Sequence, residues 1–157
     1  MNVRTLEWGT LEVSEDRLVH FPEGLLGFEE LRRFALVELE EYHPFLWLIS
    51  TDDPEVSFPL ADPRYFHEGG YAVHLSPVDE QRLDLRAGDS VAVFVVVTVD
   101  PQRGVTANMR GPVVLNTRNR IARQVITYGA GLTLRQPFRG NQEAPIRAAA
   151  QPAASRV

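Results

Sequence analysis

Cysteine is absent from the 157-residue chain, and so is lysine. Without cysteine the protein has no disulfide bond, no thiol nucleophile and no cysteine-ligated zinc or iron–sulfur cluster. A chain of this length can bury about 70% of its unfolded surface, so that a hydrophobic core holds the fold without such crosslinks. The lack of cysteine also fits a reducing compartment, and we therefore expect a cytoplasmic protein.

Long hydrophobic runs are missing as well. The longest one, VAVFVVVTV at residues 91–99, is about half as long as a membrane span. The N-terminal residues do not show the charged and then apolar pattern of a signal peptide. We therefore expect no association with a membrane.

The sequence has no motif for metal binding, catalysis or nucleotide binding. Its four histidines lack H-x-H or H-E-x-x-H spacing, and serine-nucleophile and phosphate-binding glycine patterns do not occur. Asp52 and Asp53 are neighbours in TDDP, where a turn explains them better than an acid pair, because adjacent side chains point apart. The sequence predicts no metal, no cofactor, no catalytic residue and hence no enzyme.

What the chain does contain is an uneven distribution of charge. Residues 1–100 hold 20 acidic groups and 7 arginines, whereas residues 101–157 hold one acidic group and 9 arginines. The formal charges are therefore −13 and +8, which give the net −5. Either the acids and arginines pair across the fold, or an acidic face remains and attracts a basic partner over long range.

Strand-forming segments dominate the first 138 residues. The apolar runs FLWLIS at 45–50 and VAVFVVVTV are typical of central strands covered on both faces. Helix is expected in FEELRR at 28–33, in PRYF at 63–66 and in PVDEQRL, which starts after Ser76 with proline in its first turn. The fold class that follows is all-β, a small closed or nearly closed antiparallel β-barrel with short helical turns. The shorter predicted strands are VRTLEW, LEV, RLVHF, FALVEL, PVVLNT and ARQVIT.

Residues 20–34, HFPEGLLGFEELRRF, combine a proline and two glycines with large apolar side chains. Neither a helix interior nor a central strand tolerates that combination. We expect a shaped loop in which Gly24 and Gly27 permit turns that other residues disfavour. The side chains that this loop is predicted to lay onto the core are Phe21, Leu25, Leu26 and Phe28.

Three segments, in this order and at this spacing, closely resemble the flagellar assembly factor FliW family. They are residues 20–34, then FLWLISTDDPEVSFPLADP at 45–63, and VTANMRGPVVLNTRNRIARQVI at 105–126. The resemblance runs from about residue 2 to Phe138 and implies a FliW-like β-barrel domain over residues 1–138. The family usually has leucine and alanine where this chain has Met109 and Gly111.

The resemblance implies a protein-binding regulator without enzymatic activity or cofactor. Members of the family bind flagellin, and they also bind the small RNA-binding translational repressor CsrA. A member that is free of flagellin captures the repressor and relieves the repression of flagellin synthesis. This chain would thus couple flagellin synthesis to flagellin secretion, as a monomer when free and without direct contact to nucleic acid.

Partner-binding residues are predicted from charge and local pattern. A basic repressor has the opposite sign to residues 1–100, so carboxylates are expected around its site, whereas a helical flagellin segment would favour an apolar groove. The segment TANMRGP is either a structural bulge or a contact loop, since Asn108 can bond its own backbone. The predicted partner-binding residues are Glu23, Glu29, Glu30, Asp52, Asp53, Glu55, Asn108 and Arg110.

The main alternative is a nucleic-acid-binding β-barrel. The arginines in the 110–123 region, Arg110, Arg118, Arg120 and Arg123, would contact phosphates if they shared one face. The missing lysines and the negative net charge count against this alternative. A sugar- or ligand-binding barrel is a third possibility, which rests on analogy of fold alone.

Residues 139–157 differ from the rest in composition. They are rich in alanine, proline and glutamine and contain few large apolar side chains, too few to offset the entropy lost on ordering. The sequence predicts a disordered tail that is dispensable for folding and binding.

Overall fold

A computed structural model describes residues 1–129 and 131–139, and the predicted tail lies outside these residues except for Arg139. Ten β-strands and one short α-helix make up the described fold, with three 3₁₀ turns at Glu15–Arg17, Glu40–Tyr42 and Pro63–Tyr65. The strands are β1 (Asn2–Thr5), β2 (Gly9–Glu12), β3 (Leu18–His20), β4 (Arg33–Glu38), β5 (Leu46–Ser50), β6 (Ser57–Ala61), β7 (Val91–Asp100), β8 (Gly104–Asn116), β9 (Ala122–Gln124) and β10 (Gln136–Pro137), and the helix is α1 (Pro77–Arg82).

The strands form a hairpin and one large antiparallel sheet. β1 and β2 pair with each other, and the sheet has the order β10-β8-β7-β6-β5-β4-β3, with β9 also paired to β8. Strand β8 has 13 residues, and its first half holds β10 while its second half holds β9. Its length therefore lets one strand join three partners.

The sheet curls into a half-barrel whose two edges meet at a single bridge. His20 at the end of β3 pairs with Ile121, just before β9. The His20 N–H donates to the Arg120 carbonyl at 3.0 Å, and Arg120 Nε donates to the Leu18 carbonyl at 3.2 Å. The predicted all-β, barrel-like fold is confirmed, and these contacts bring it close to closure.

Alternating side chains on the strands build two main layers of core. Trp47 and Ile49 of β5 point toward the β1–β2 hairpin, where Trp47 is only 6% exposed. Leu48, between them, points into the curl and shares a cluster with Leu60 and Leu115. Because this second cluster draws on strands from both edges of the sheet, it fills the inner face of the half-barrel.

Two local predictions are confirmed. Helix α1 starts after Ser76, whose Oγ accepts from the Asp79 N–H at 3.1 Å while Asp79 Oδ2 accepts from the Ser76 N–H at 3.0 Å. This reciprocal capping box explains a six-residue helix in a β protein. Trp47 is buried, as the apolar run FLWLIS predicts.

Three predictions are wrong. Residues 28–33 do not form a helical turn: Glu29 and Glu30 lie in a turn, and Arg33 already begins β4. Phe28 points inward and packs on Phe58 with ring centroids 5.0 Å apart. Leu26 is 75% exposed and does not join the core. Strand β7 is not covered on both faces, since Phe94 and other residues of its inner face stay half-buried.

Candidate protein-binding site

The β3–β4 loop (residues 21–32) and the β5–β6 turn (residues 51–56) lie at the same end of the half-barrel. In an antiparallel sheet β3 and β5 end where β4 and β6 begin. The Thr51 N–H donates to the Arg33 carbonyl at 3.0 Å, and Arg33 Nη2 lies 3.8 Å from Asp52 Oδ1. We call this region the loop end, and it contains six of the eight predicted partner-binding residues.

The β3–β4 loop closes the inner face of the sheet at the loop end. Phe21 is fully buried and packs edge to face on Phe34 at 5.3 Å. Gly24 has φ +67°, and a Cβ there would lie 2.5 Å from the Phe28 carbonyl oxygen. The predicted shaped loop is therefore present, and its first glycine is required by both conformation and space.

Asn108 and Arg110 form part of a β-bulge in β8, and their contact with a partner stays a prediction. Phe94 pairs with Val113 but Val96 pairs with Asn108, so that several residues of β8 stand opposite one residue of β7. Asn108 Oδ1 accepts from the Arg110 N–H at 3.0 Å and from the Gly111 N–H at 3.1 Å. The Asn108 side chain thus holds the shape of the bulge.

Gln124, which the sequence did not single out, joins this bulge to the β3–β4 loop. Its Oε1 accepts from the Leu26 N–H at 3.0 Å, and its Nε2 donates to the Gly111 carbonyl at 3.0 Å. A Cβ on Gly111 would lie 2.9 Å from that Nε2 atom. Gly111 therefore leaves room for the Gln124 side chain, and no local pattern in the sequence pointed to this contact.

Large apolar side chains are exposed around Gln124. Leu26 is 75%, Ile126 55% and Tyr128 87% exposed, and Ile126 and Tyr128 line a depression together with Gln124. We call Leu26, Ile126 and Tyr128 the apolar patch. Large exposed apolar side chains on segments that one residue, Gln124, joins are typical of protein–protein contact surfaces.

One predicted carboxylate, Glu23, is paired with two arginines of the fold. Glu23 Oε1 and Oε2 bind Arg123 Nη1 at 2.8 Å and Arg82 Nη1 at 2.9 Å, and Arg123 Nε binds Asp79 Oδ1 at 2.9 Å. Burial acts to raise the pKa of Asp79, but hydrogen bonds from Ser76 and Arg123 outweigh it and hold that pKa below 3.8. Glu23 therefore fastens the β3–β4 loop to α1 and β9.

The remaining predicted acids fall into two groups. Glu29 Oε2 accepts from the Gly27 N–H at 2.8 Å, and Asp53 Oδ1 accepts from the Glu55 N–H at 3.0 Å, so both shape turns. Glu30 and Glu55 are exposed and have no ion pair among the described residues. Glu29 is exposed, like Asp52 and the two acids of the second group, so these four carboxylates remain accessible to a partner.

Each arginine of the 110–123 region has a contact within the fold. Arg118 Nε binds Asp89 Oδ1 at 3.0 Å, and Arg110 Nε donates to the Leu132 carbonyl at 3.0 Å. Arg120 and Arg123 close the sheet and hold Glu23, as described above. These four arginines do not form one face for phosphates, so the geometry does not favour the nucleic-acid alternative.

The two charged halves of the chain pair in part. Arg118, Arg123 and Arg139 from the basic half all reach acids of the first hundred residues, Arg139 Nη1 lying 2.9 Å from Glu68.

Within residues 1–129 and 131–139 there is no group of three or more His, Asp or Glu that could hold a metal ion. No helix in the described ranges has the length and hydropathy of a membrane span.

These features define a small half-barrel β protein with an exposed apolar patch, and the comparisons place it in a family. The FliW protein family model matches residues 2–138. The flagellar assembly factor FliW of Geotalea uraniireducens is 39% identical over 139 residues, which cover 88% of this chain and 84% of that protein. That of Geobacter sulfurreducens is 36% identical over 140 residues, covering 88% and 86%.

A solved structure agrees with these relatives. The crystal structure of a flagellar assembly factor FliW matches with a TM-score of 0.77 and 29% identity, covering 91% of this chain and 99% of that one. The chain belongs to the FliW family of flagellar assembly factors.

Proposed function

We propose that the protein is a non-enzymatic cytoplasmic regulator that binds flagellin, in the manner of a chaperone, and binds the translational repressor CsrA. Flagellin that awaits export occupies the protein, and its secretion leaves the protein to capture the repressor. The rate of flagellin translation then depends on the rate of flagellin secretion. The apolar patch on a chain of the FliW family is the observation that carries this proposal.

The apolar patch is the surface proposed for flagellin. Its side chains stand on a backbone that Gln124 joins to both Leu26 and Gly111. A surface that is already ordered loses little conformational freedom on binding. The apolar face of an amphipathic helix, which supplies large side chains at helical spacing, is the partner that such a surface fits.

The repressor is attracted by the acids that remain exposed at the loop end. Glu30, Asp52 and Glu55 are exposed, and Asp52 has only a long contact of 3.8 Å to Arg33. Exposed charges of this kind raise the rate of association with a basic protein more than they slow dissociation. The loop-end acids are therefore proposed to guide the repressor.

Titration calorimetry with purified flagellin tests the apolar patch. A variant with Leu26→Asp and Ile126→Asp is expected to bind flagellin at least tenfold more weakly, because it places charges in an apolar contact. Leu6→Asp is the control, since Leu6 is 70% exposed on the β1–β2 turn and should leave the affinity unchanged. The proposal is wrong if the parent chain does not bind flagellin or if the patch variant binds as the control does.

A further inference from the structure

The half-barrel has a second end, opposite the loop end. β4 ends at Glu38, β5 begins at Leu46 and β6 ends at Ala61, so these three positions meet there. Strand β5 has five residues, which separate the two ends by roughly 17 Å. A groove of about 720 Å³ lies at this end, and we call it the open-end groove; its lining includes Glu38, Glu40, Leu46, Asp62 and Phe94.

The floor of the open-end groove is the inner face of the sheet. Leu46 and Phe94 belong to the same apolar cluster as Leu48 and Leu60, yet both are only half-buried. At the loop end Phe28 covers Phe58 of this face. At the open end no loop of the described chain covers Leu46 and Phe94 in that way.

The rim of the open-end groove is acidic. Glu38 ends β4 directly opposite Leu46, and Glu40 begins the following 3₁₀ turn. Both are exposed and have no ion pair within residues 1–129 and 131–139. Asp62 differs from them because Arg64 Nη2 lies 3.0 Å from its Oδ2.

We propose that the open-end groove is a docking site for a segment of a basic protein, which rests an apolar side chain on Leu46 and Phe94 and sets an arginine or lysine beside Glu38 and Glu40. This inference rests on the proposed function, because CsrA is the basic partner in that scheme and flagellin is assigned to the apolar patch. The accessible floor consists of the half-buried Leu46 and Phe94 with two exposed carboxylates beside them, and neighbouring apolar and charged contacts of this kind suit a polypeptide segment that carries an apolar and a basic side chain.

Kinetics with two charge-matched variants test the docking site. Glu38→Lys with Glu40→Lys alters the groove, and Glu30→Lys with Glu55→Lys makes the same change of net charge at the loop end. Binding of purified CsrA to each is measured by surface plasmon resonance in low and high salt. The groove variant is expected to dissociate about tenfold faster at both salt concentrations, because a docked contact is lost. The loop-end variant is expected only to associate more slowly, and only in low salt.

Flagellin is the second analyte, and its binding to the groove variant should stay within twofold of the parent. If the groove variant changes only the association rate, as the loop-end variant does, the carboxylates act at long range and the docking site is wrong. The groove substitutions are also made in a chain that ends at Arg139. If CsrA dissociates from this shorter chain at the same rate with and without them, the occupant of the groove is this chain's own C-terminal segment and the proposal is wrong. Failure of the proposed function gives a different result, in which the parent chain binds neither protein.

The lack of cysteine permits a test that is independent of affinity. Glu40→Cys and Glu55→Cys each introduce a single thiol at an exposed position, which can carry a short photo-crosslinker. Glu40→Cys is expected to crosslink to CsrA with high yield, and Glu55→Cys with low yield. Equal yields, or a crosslink from residue 55 alone, would overturn the assignment of the groove.

Discussion

The inner face of the half-barrel runs between its two ends, and the connecting loops cover it to different extents at each end. At the loop end twelve residues join β3 to β4, and Phe21, Leu25 and Phe28 of this loop fill the face. At the open end only seven residues join β4 to β5, and Leu46 and Phe94 remain half-exposed beneath acidic side chains. The inner face is thus covered by its connecting loop at the loop end and stays accessible to a partner at the open end.

We expect the largest loss of stability from a substitution in β5, where neighbouring side chains point into different environments. Trp47 packs edge to face on Trp8 at 4.8 Å and on Tyr42 at 5.3 Å. Trp47→Ala should lower the free energy of unfolding by about 3–5 kcal/mol, measured by urea denaturation. Leu46→Ala, on the half-exposed side, is the control and should cost about 1 kcal/mol. Equal losses would show that the open end is as well packed as the core.

The second prediction concerns the closure of the loop end. Gly24→Ala should cost about 3 kcal/mol, because it combines a left-handed conformation that costs roughly 1–2 kcal/mol with backbone overlap. Gly27→Ala is matched to it, since Gly27 has φ +87° but nothing within 4 Å of a Cβ, and it should cost only about 1–2 kcal/mol. The comparison fails if the two alanine variants have the same denaturation midpoint.

The third prediction is a dependence of stability on pH at the contacts that hold the loop to α1. The pKa of Asp79 in the folded protein lies below its ordinary value of 3.8. A carboxyl with a lowered folded pKa stabilises the fold above its unfolded pKa, and this contribution is lost as the pH falls through the folded pKa. The free energy of unfolding should therefore decrease from about pH 5 downward. Asp79→Asn should decrease less steeply over the same range, and an unchanged slope would show that Asp79 does not contribute.

The parts of the fold that the sequence predicts are those with local causes. The apolar run around Trp47, the helix start after Ser76 and the bulge at Asn108, which was one of two alternatives, depend on residues close in the chain. Strand β6 was not predicted because Pro59 interrupts its pattern. The structure permits that proline in a paired strand, where it stands opposite Trp47.

The candidate site was less predictable because its contacts are long-range. Gln124 binds Leu26, 98 residues away, and Glu23 binds Arg123, 100 residues away. Charge alone marked Glu23 as a partner-binding residue, whereas the structure gives it two arginines. The exposure of Leu26 likewise follows from its neighbours in space and not from its own segment.

The smallest expected effect on stability is that of reversing a charge in the β5–β6 turn. Asp52→Lys should change the free energy of unfolding by no more than about 0.5 kcal/mol, because the contact of Asp52 to Arg33 is long and exposed. Asp53 is left unchanged in this variant, since its carboxylate accepts the Glu55 N–H. The same variant should capture CsrA more slowly in low salt, and the difference should vanish near 0.5 M salt, where the screening length is about 4 Å. A capture rate that is indifferent to charge and salt contradicts the guiding role of the loop-end acids.

The most direct test of the central claim follows the repressor's RNA. A fluorescent RNA carrying the flagellin leader is bound to purified CsrA, and its anisotropy is measured while the protein and then flagellin are added. The account predicts that the protein releases the RNA and that flagellin restores the complex. An anisotropy that does not change on addition of the protein, or a protein that binds the RNA by itself, would contradict the account.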